Sequence, residues 1–287
     1  MNSFFKTTLL LASLTGLLVG MGYVLGGPGV ALIALIFAGI MNFVAYFFSD
    51  KLALSMAGAK EVTAQEAPEL HSIVREVALL SGMPMPKVFI VQNESPNAFA
   101  TGRDPNHAVV AATTGILRIL DRRELRAVIG HEMGHVKNRD ILTSSIAATI
   151  AGAISYLGMM ALWGGALFGG GRGDGDRPNP LFGLLAFIFA PIAASILQMA
   201  LSRTREYAAD RSGAEYTHDP RALASALNKL QSGVAMRPME EKAGAQALSS
   251  LYIVHPFNAG GLGNLFSTHP PIEERIKRLE EMARSGV

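Results

Sequence analysis

The sequence predicts a mainly α-helical membrane protein, with four transmembrane helices and a polar domain that contains a small β-sheet. Of its 287 residues, 49% are hydrophobic and the mean hydropathy is positive, which is more apolar than an ordinary soluble domain. Four apolar segments are long enough to cross a bilayer, which takes roughly 20 helical residues. The polar regions alternate between helical periodicity and short β-branched runs.

The apolar segments form two pairs. The first pair spans about 7–25 and 30–48, joined by Gly-Gly-Pro-Gly, and the second spans about 141–168 and 181–201. Each segment could instead be a buried core helix, and the first could be a cleaved signal peptide. No Ala-x-Ala site follows it, so we interpret it as a retained anchor. The chain then divides into a hairpin, a polar region, a second hairpin and a second polar region, at 1–48, 49–140, 141–201 and 202–287.

Basic residues near the ends of the apolar segments lie mostly on one side of the predicted membrane. That side carries Lys6, Lys51, Lys60, Lys137, Arg139, Arg203 and Arg205, whereas the other side carries Arg172 and Arg177. Cytoplasmic loops of membrane proteins are enriched in lysine and arginine. Both termini and both polar regions of this multi-pass protein are therefore predicted to be cytoplasmic.

Charge and cysteine content exclude other classes of function. The 25 basic and 23 acidic residues leave a net charge of +2, which is too small for the basic field of a nucleic-acid-binding protein. The chain has no cysteine, so it has neither disulfides nor thiolate ligands. Any bound metal must be held by nitrogen and oxygen atoms.

The polar regions predict a helical domain with a sheet of three or four strands. Residues 66–83 have apolar side chains at helical spacing, and the segments PKVFIVQ, NAFATG and HAVVAAT are typical of short strands. Asp121 followed by Glu124 is a capping-box pattern that begins a helix. In the second polar region, helical patterns occur in TREYAADRSGAEY, DPRALASALNKLQ and PPIEERIKRLEEMAR.

The helix after Asp121 carries a metal-binding pattern. His131 and His135 are four residues apart, so both imidazoles project from one helix face and can share a zinc ion. Glu132 lies beside the metal, where it can take a proton from water and pass it to a leaving amine. The pattern could be accidental, but its position on the inward stripe of a well-capped helix favours function. Glycines at 130 and 134 indicate a close neighbour.

A catalytic zinc needs a third protein ligand and an open position. In SRTREYAAD, Glu206 and Asp210 are four residues apart on a helix that continues the fourth apolar segment. Glu206 could bind the metal while Asp210 accepts a hydrogen bond from a ligand imidazole. Both acids could equally pair with neighbouring arginines at a helix surface. The spacing alone does not decide between these interpretations.

Four motifs occur in order along the chain. They are N-A-F-A-T-G at 97–102, H-E-M-G-H-x-x-x-x-D at 131–140, S-R-T-R-E-Y-x-A-D at 202–210, and S-T-H-P-P with a later arginine at 267–275. Together with the two hairpins and the length, they resemble the HtpX family of bacterial membrane zinc metalloproteases, which is related to the zinc-type CaaX prenyl proteases. The resemblance covers the whole chain and implies a zincin-like (gluzincin) domain.

The resemblance implies roles for residues on the helix that carries the two histidines and on the helix that carries Glu206. His131, His135 and Glu206 would bind one Zn²⁺ per chain. Glu132 would be the general base, and Asp210 would orient a metal ligand. These assignments remove the ambiguity that the spacing of the two acids leaves open.

The resemblance also implies roles for four residues elsewhere. His269 and Arg275 would stabilise the oxyanion, although they could also be a helix start and a surface cation. Asn97 and Ala98 would belong to an edge strand that pairs with an extended substrate, although they could also form an ordinary sheet edge.

The function that the resemblance implies is endopeptidase cleavage of misfolded or damaged membrane proteins in a stress response, on the cytoplasmic side of the membrane. The expected partners are the lipid bilayer and membrane-protein or unfolded polypeptide substrates, including the enzyme itself through self-cleavage. One alternative is a membrane scaffold or transporter with a structural metal, but structural zinc sites normally have four protein ligands. Another is a prenyl-peptide protease, whose large chamber four crossings are too few to build.

Overall fold

The computed structural model describes residues 3–146, 203–240, 248–249, 251–257 and 270–286. The predicted fourth apolar segment, most of the third and His269 lie outside these ranges.

The first element, α1 (Ser3–Ala57), folds back on itself. Asn42 Nδ2 donates to Thr15 Oγ1 at 2.8 Å across 27 residues, which in a straight helix would span about 40 Å. Gly27, with a φ of 71°, precedes Pro28 and supplies the bend at the predicted turn. Within the described residues, one helical stretch, Gly27–Ala57, is long and apolar enough to cross a membrane. The predicted number of four crossings is therefore not confirmed.

A mixed sheet of four strands follows α1. Its strands are β1 (Ala59–Glu61), β2 (Lys87–Val91), β3 (Ala98–Thr101) and β4 (Val109–Thr113), in the order β1-β2-β4-β3. Strands β2 and β4 are parallel, and the other neighbours are antiparallel. The three strands predicted from the sequence are confirmed, and β1 is an addition that the sequence pattern does not indicate.

The helices are α2 (Pro68–Ser81), α3 (Thr114–Ile119), α4 (Arg122–Lys137), α5 (Arg203–Thr217), α6 (Pro220–Met236) and α7 (Ile272–Ser285). The core covers both faces of the sheet. One face packs against α2, α4 and α6, and the other packs against the end of α1 and against Leu248, Leu251 and Tyr252. The sheet is thus held between the helical domain and the apolar hairpin.

Helix α4 begins at the predicted capping box. Asp121 Oδ1 accepts from the Glu124 backbone at 2.8 Å, and Glu124 Oε2 accepts from the Asp121 backbone at 3.0 Å. Glu124 also accepts from Ser225 and Lys229 on α6, both at 2.7 Å. The cap therefore fixes the start of α4 and also its contact with α6.

Helices α4 and α5 cross at very short range because glycines line the contact. A Cβ atom on Gly213 would lie 2.6 Å from the His131 backbone nitrogen. A Cβ on Gly130 would lie 3.0 Å from Thr217 Cγ2, and one on Gly134 would lie 3.1 Å from the Ala209 carbonyl oxygen. The predicted close neighbour of the two α4 glycines is therefore α5, which carries Glu206.

Candidate metal centre

The crossing of α4 and α5 brings three potential metal ligands together. His131 Nε2 lies 3.2 Å from His135 Nε2 and 3.7 Å from Glu206 Oε2, and His135 Nε2 lies 3.4 Å from Glu206 Oε1. A tetrahedral zinc with bonds of about 2.0–2.1 Å separates its ligand atoms by about 3.4 Å. The three side chains therefore fit one zinc ion, and they are the only such cluster within the described residues.

Asp210 and Arg275 contact His131 on the Nδ1 side of its ring. His131 Nδ1 lies 2.9 Å from Asp210 Oδ1, and Arg275 donates to both Asp210 oxygens at 2.7 and 2.8 Å. Burial raises the pKa of Asp210, but Arg275 and His131 outweigh it and the net shift is downward. Burial lowers the pKa of His131. The ring is therefore neutral, and Asp210 fixes its Nδ1 proton so that Nε2 faces the metal position.

Glu132 lies in the same cavity as the three ligands and is buried. One of its oxygens accepts from the Ala100 backbone, and Oε1 has no hydrogen-bond partner within the described residues. Burial raises the pKa of Glu132 to about 7, opposed by His135 and supported by the negative charge of Glu206. A carboxyl group with a pKa near neutrality suits general acid–base chemistry.

The cavity at this centre is small. Its volume is about 20 Å³, which is enough for about one water molecule and not for a substrate side chain. His131, His135 and Glu206 line one part of it, and Leu251, Tyr252 and Ile253 line another.

Arg275 is fully buried and does not line this cavity in the described structure. Besides Asp210, it donates to the Ile253 carbonyl at 2.9 Å. The interpretation of Arg275 as a surface cation is therefore wrong. Its predicted contact with the oxyanion stays a prediction, as does that of His269, which lies outside the described residues.

The predicted substrate-binding residues Asn97 and Ala98 contact the chain's own residues 253–254. Asn97 Nδ2 donates to the Val254 carbonyl at 2.7 Å, and Asn97 Oδ1 accepts from the Val254 backbone at 3.3 Å. The Ala98 carbonyl accepts from Ile253 N at 3.1 Å. A substrate that uses these groups must therefore displace residues 253–254.

Two charged residues beside the centre received no role from sequence reasoning. Asp140 Oδ2 lies 3.6 Å from His135 Nδ1, and Arg205 Nη1 lies 3.9 Å from Asp140 Oδ1. Burial opposes protonation of His135, but Glu206 and Asp140 outweigh it and raise the pKa of His135 to about 10. Their positions in the sequence could have indicated a role, because Asp140 ends the motif that carries the histidines and Arg205 directly precedes Glu206.

A family model described as peptidase family M48 matches residues 64–283, which include the whole centre. The chain belongs to this family. A relative named Protease HtpX homolog from Burkholderia multivorans is 50% identical over 287 residues, covering 100% of this chain and 99% of the relative. One of the same name from Thermococcus kodakarensis is 52% identical over 279 residues, covering 97% and 95%.

Membership of M48 makes the chain a metallopeptidase, and the predicted resemblance to the HtpX family is confirmed. Among solved structures, the crystal structure of S. mikatae Ste24p aligns with a TM-score of 0.47 at 19% identity, covering 94% of this chain and 65% of that one.

Proposed function

We propose that this M48 peptidase is a membrane-embedded, zinc-dependent endopeptidase that cleaves misfolded or damaged membrane proteins at the cytoplasmic face of the bacterial inner membrane. The observation that carries the proposal is the convergence of His131, His135 and Glu206 at tetrahedral spacing, with the buried Glu132 carboxyl group in the same cavity. One Zn²⁺ held by these three ligands would leave a fourth position open, as in catalytic zinc sites.

Each residue of the site has a separate role in the proposed reaction. When bound, zinc supplies Lewis acidity that activates water and polarises a carbonyl group. Glu132 accepts the proton of the attacking water and returns it to the leaving amine, because its pKa of about 7 allows both protonation states near neutrality. Asp210 keeps the neutral His131 ring oriented through Nδ1. His269 and Arg275 are proposed to stabilise the oxyanion, and Asn97 with Ala98 to bind an extended substrate.

The membrane part of the proposal rests on α1 and on the sequence. The folded-back α1 exposes apolar side chains such as Ile33, Phe37 and Phe43, which suits contact with lipid. The apolar segments 141–168 and 181–201 are proposed as two further crossings, with both termini and the peptidase domain cytoplasmic. His135 and Glu206 each lie a few residues from these segments, so the site would be near the bilayer surface. Substrates would be membrane proteins, unfolded polypeptides near the bilayer, or the enzyme itself, and no nucleic acid.

The test is a comparison of the wild type with Glu132→Gln, both purified in detergent and loaded with zinc. Loss of the general base should reduce cleavage of an unfolded protein by about 10²–10⁴-fold while zinc content stays the same. Glu215→Gln, at an exposed position on α5, is the matched control and should cut like the wild type. Equal cleavage by Glu132→Gln would exclude the assigned role of Glu132. If the wild type and the variants all bind zinc and none of them cleaves the substrate, a structural metal in a scaffold would be favoured.

A further inference from the structure

We propose that Asp140 is a positioning residue for the metal ligand His135, and that Arg205 holds Asp140 in place. The proposal rests on the proposed function, because it assumes that His135 binds the metal through Nε2. His135 Nε2 faces His131 and Glu206, at 3.2 and 3.4 Å, so Nδ1 is on the other side of the ring. Asp140 is the carboxylate on that side, at 3.6 Å.

The two histidines then have equivalent surroundings. His131 contacts Asp210, which contacts Arg275, and His135 contacts Asp140, which contacts Arg205. Metal-binding histidines usually donate their second ring nitrogen to a carboxylate or carbonyl, which fixes the ring and strengthens the ligand. Asp210 serves His131 in this way. Without Asp140, no described carboxylate would serve the Nδ1 atom of His135.

The backbone before Asp140 supports a functional placement. Arg139 has a φ of 58°, in the left-handed region that non-glycine residues seldom adopt. The residue lies in the turn where α4 ends, and helical structure resumes at Asp140. Directly after this turn, Asp140 Oδ2 lies 3.6 Å from His135 Nδ1. A left-handed residue costs about 1 kcal/mol or more, so the surrounding structure maintains a conformation with a local penalty.

The second arrangement is looser than the first, and its residues line the cavity. Its two contacts measure 3.6 and 3.9 Å, against 2.9 and 2.7 Å for the arrangement around His131. Asp140 and Arg205 both line the cavity, whereas Asp210 and Arg275 do not line it in the described structure. Of the two orienting acids, Asp140 is therefore the one that lines the cavity.

The experiment measures zinc affinity by chelator competition in the full-length protein in detergent, without substrate. Asp140→Ala should weaken zinc binding by about 10–100-fold, and Arg205→Ala by a smaller factor. Asp140→Asn should recover most of the affinity, because an amide oxygen at this position can also accept a hydrogen bond from Nδ1. The visible spectrum of the Co²⁺-substituted protein should change in Asp140→Ala and return toward wild type in Asp140→Asn.

The matched control is Asp104→Ala, which breaks an exposed contact among Arg103, Asp104 and His107 outside the metal centre. It should leave zinc affinity unchanged. Zinc affinity of Asp140→Ala within twofold of wild type, or a lowered melting temperature with unchanged affinity, would overturn the proposal. Absence of zinc binding in the wild type would instead overturn the proposed function, so the two failures are distinguishable.

Discussion

Gly213→Ala should separate α4 and α5, the two helices that carry the candidate metal ligands. The new Cβ atom would lie 2.6 Å from the His131 backbone nitrogen and 2.9 Å from both His131 Cα and the Gly130 carbonyl carbon. All three atoms belong to the α4 backbone, so no side-chain rotation relieves the contact. An ordinary contact begins at 3.4 Å, so α5 must move by roughly 0.8 Å from α4.

Two opposing terms set the expected loss of stability. Overpacking of a tight contact costs about 1–3 kcal/mol, and a backbone-to-backbone clash belongs at the upper end of that range. Alanine recovers about 1 kcal/mol of helix propensity relative to glycine. The net loss should therefore be about 2 kcal/mol. The Glu206-to-histidine distances of 3.4 and 3.7 Å would also widen, which should weaken zinc binding by at least about 10-fold.

Denaturant unfolding of the metal-free protein and chelator competition measure the two effects separately. Gly39→Ala is the control, because nothing lies within 4 Å of the position of its new Cβ atom. Gly134→Ala, with contacts no shorter than 3.1 Å, should fall between the two variants. If Gly213→Ala matches Gly39→Ala in stability and zinc affinity, the crossing does not determine the metal geometry.

Three further predictions follow from the site. Zinc binding near neutral pH should release about one proton, because His135 is protonated below its pKa of about 10 and must be neutral to bind the metal. Zinc affinity should therefore rise with pH up to that value. Titration calorimetry in buffers of different ionisation enthalpy measures the proton release, and heats that do not depend on the buffer would contradict it. Asp210→Ala should destabilise the protein by about 3–5 kcal/mol, because it removes the carboxylate that accepts both close hydrogen bonds from the buried Arg275 and leaves Glu206, at 3.5 Å, as the remaining paired carboxylate among the described residues. Urea unfolding should show that Asp210→Ala with Arg275→Met loses less, and a loss below about 1 kcal/mol in the single variant would refute the argument. Ile253→Pro removes the N–H group that bonds to Ala98 and should lower KM for an extended peptide, whereas an unchanged KM with intact zinc binding would argue against substrate pairing at Ala98.

Local sequence patterns were sufficient to predict the helices and strands whose own apolar spacing shows which side is buried. The capping box, the period of α2 and the β-branched runs of β2 and β4 all predicted elements that the structure contains. Strand β1, with the sequence Ala-Lys-Glu, lacks β-branched residues and is a strand because it pairs with β2. Its existence depends on a non-local contact that no window of sequence reveals.

Some residues of the candidate metal centre were also predictable from local spacing, whereas others depend on contacts that are distant in sequence. His131 and His135 were predictable from helical spacing, because both lie on one helix. Glu206 is distant in sequence and reaches them through a crossing that Gly213 permits, so the family resemblance was needed to choose it. The contact of residues 253–254 with Asn97 and β3 has no sequence signature at 253–254, since these two residues contribute only backbone groups to its hydrogen bonds.

The covered edge of β3 bears on which polypeptides the enzyme could accept. If Asn97 and Ala98 hold the substrate, residues 253–254 compete with it as a ligand within the same chain. A freely diffusing peptide at cellular abundance would rarely win that competition. A chain confined to the same membrane, already unfolded and close to the site, could win it, so selectivity for damaged neighbours would require no dedicated recognition domain.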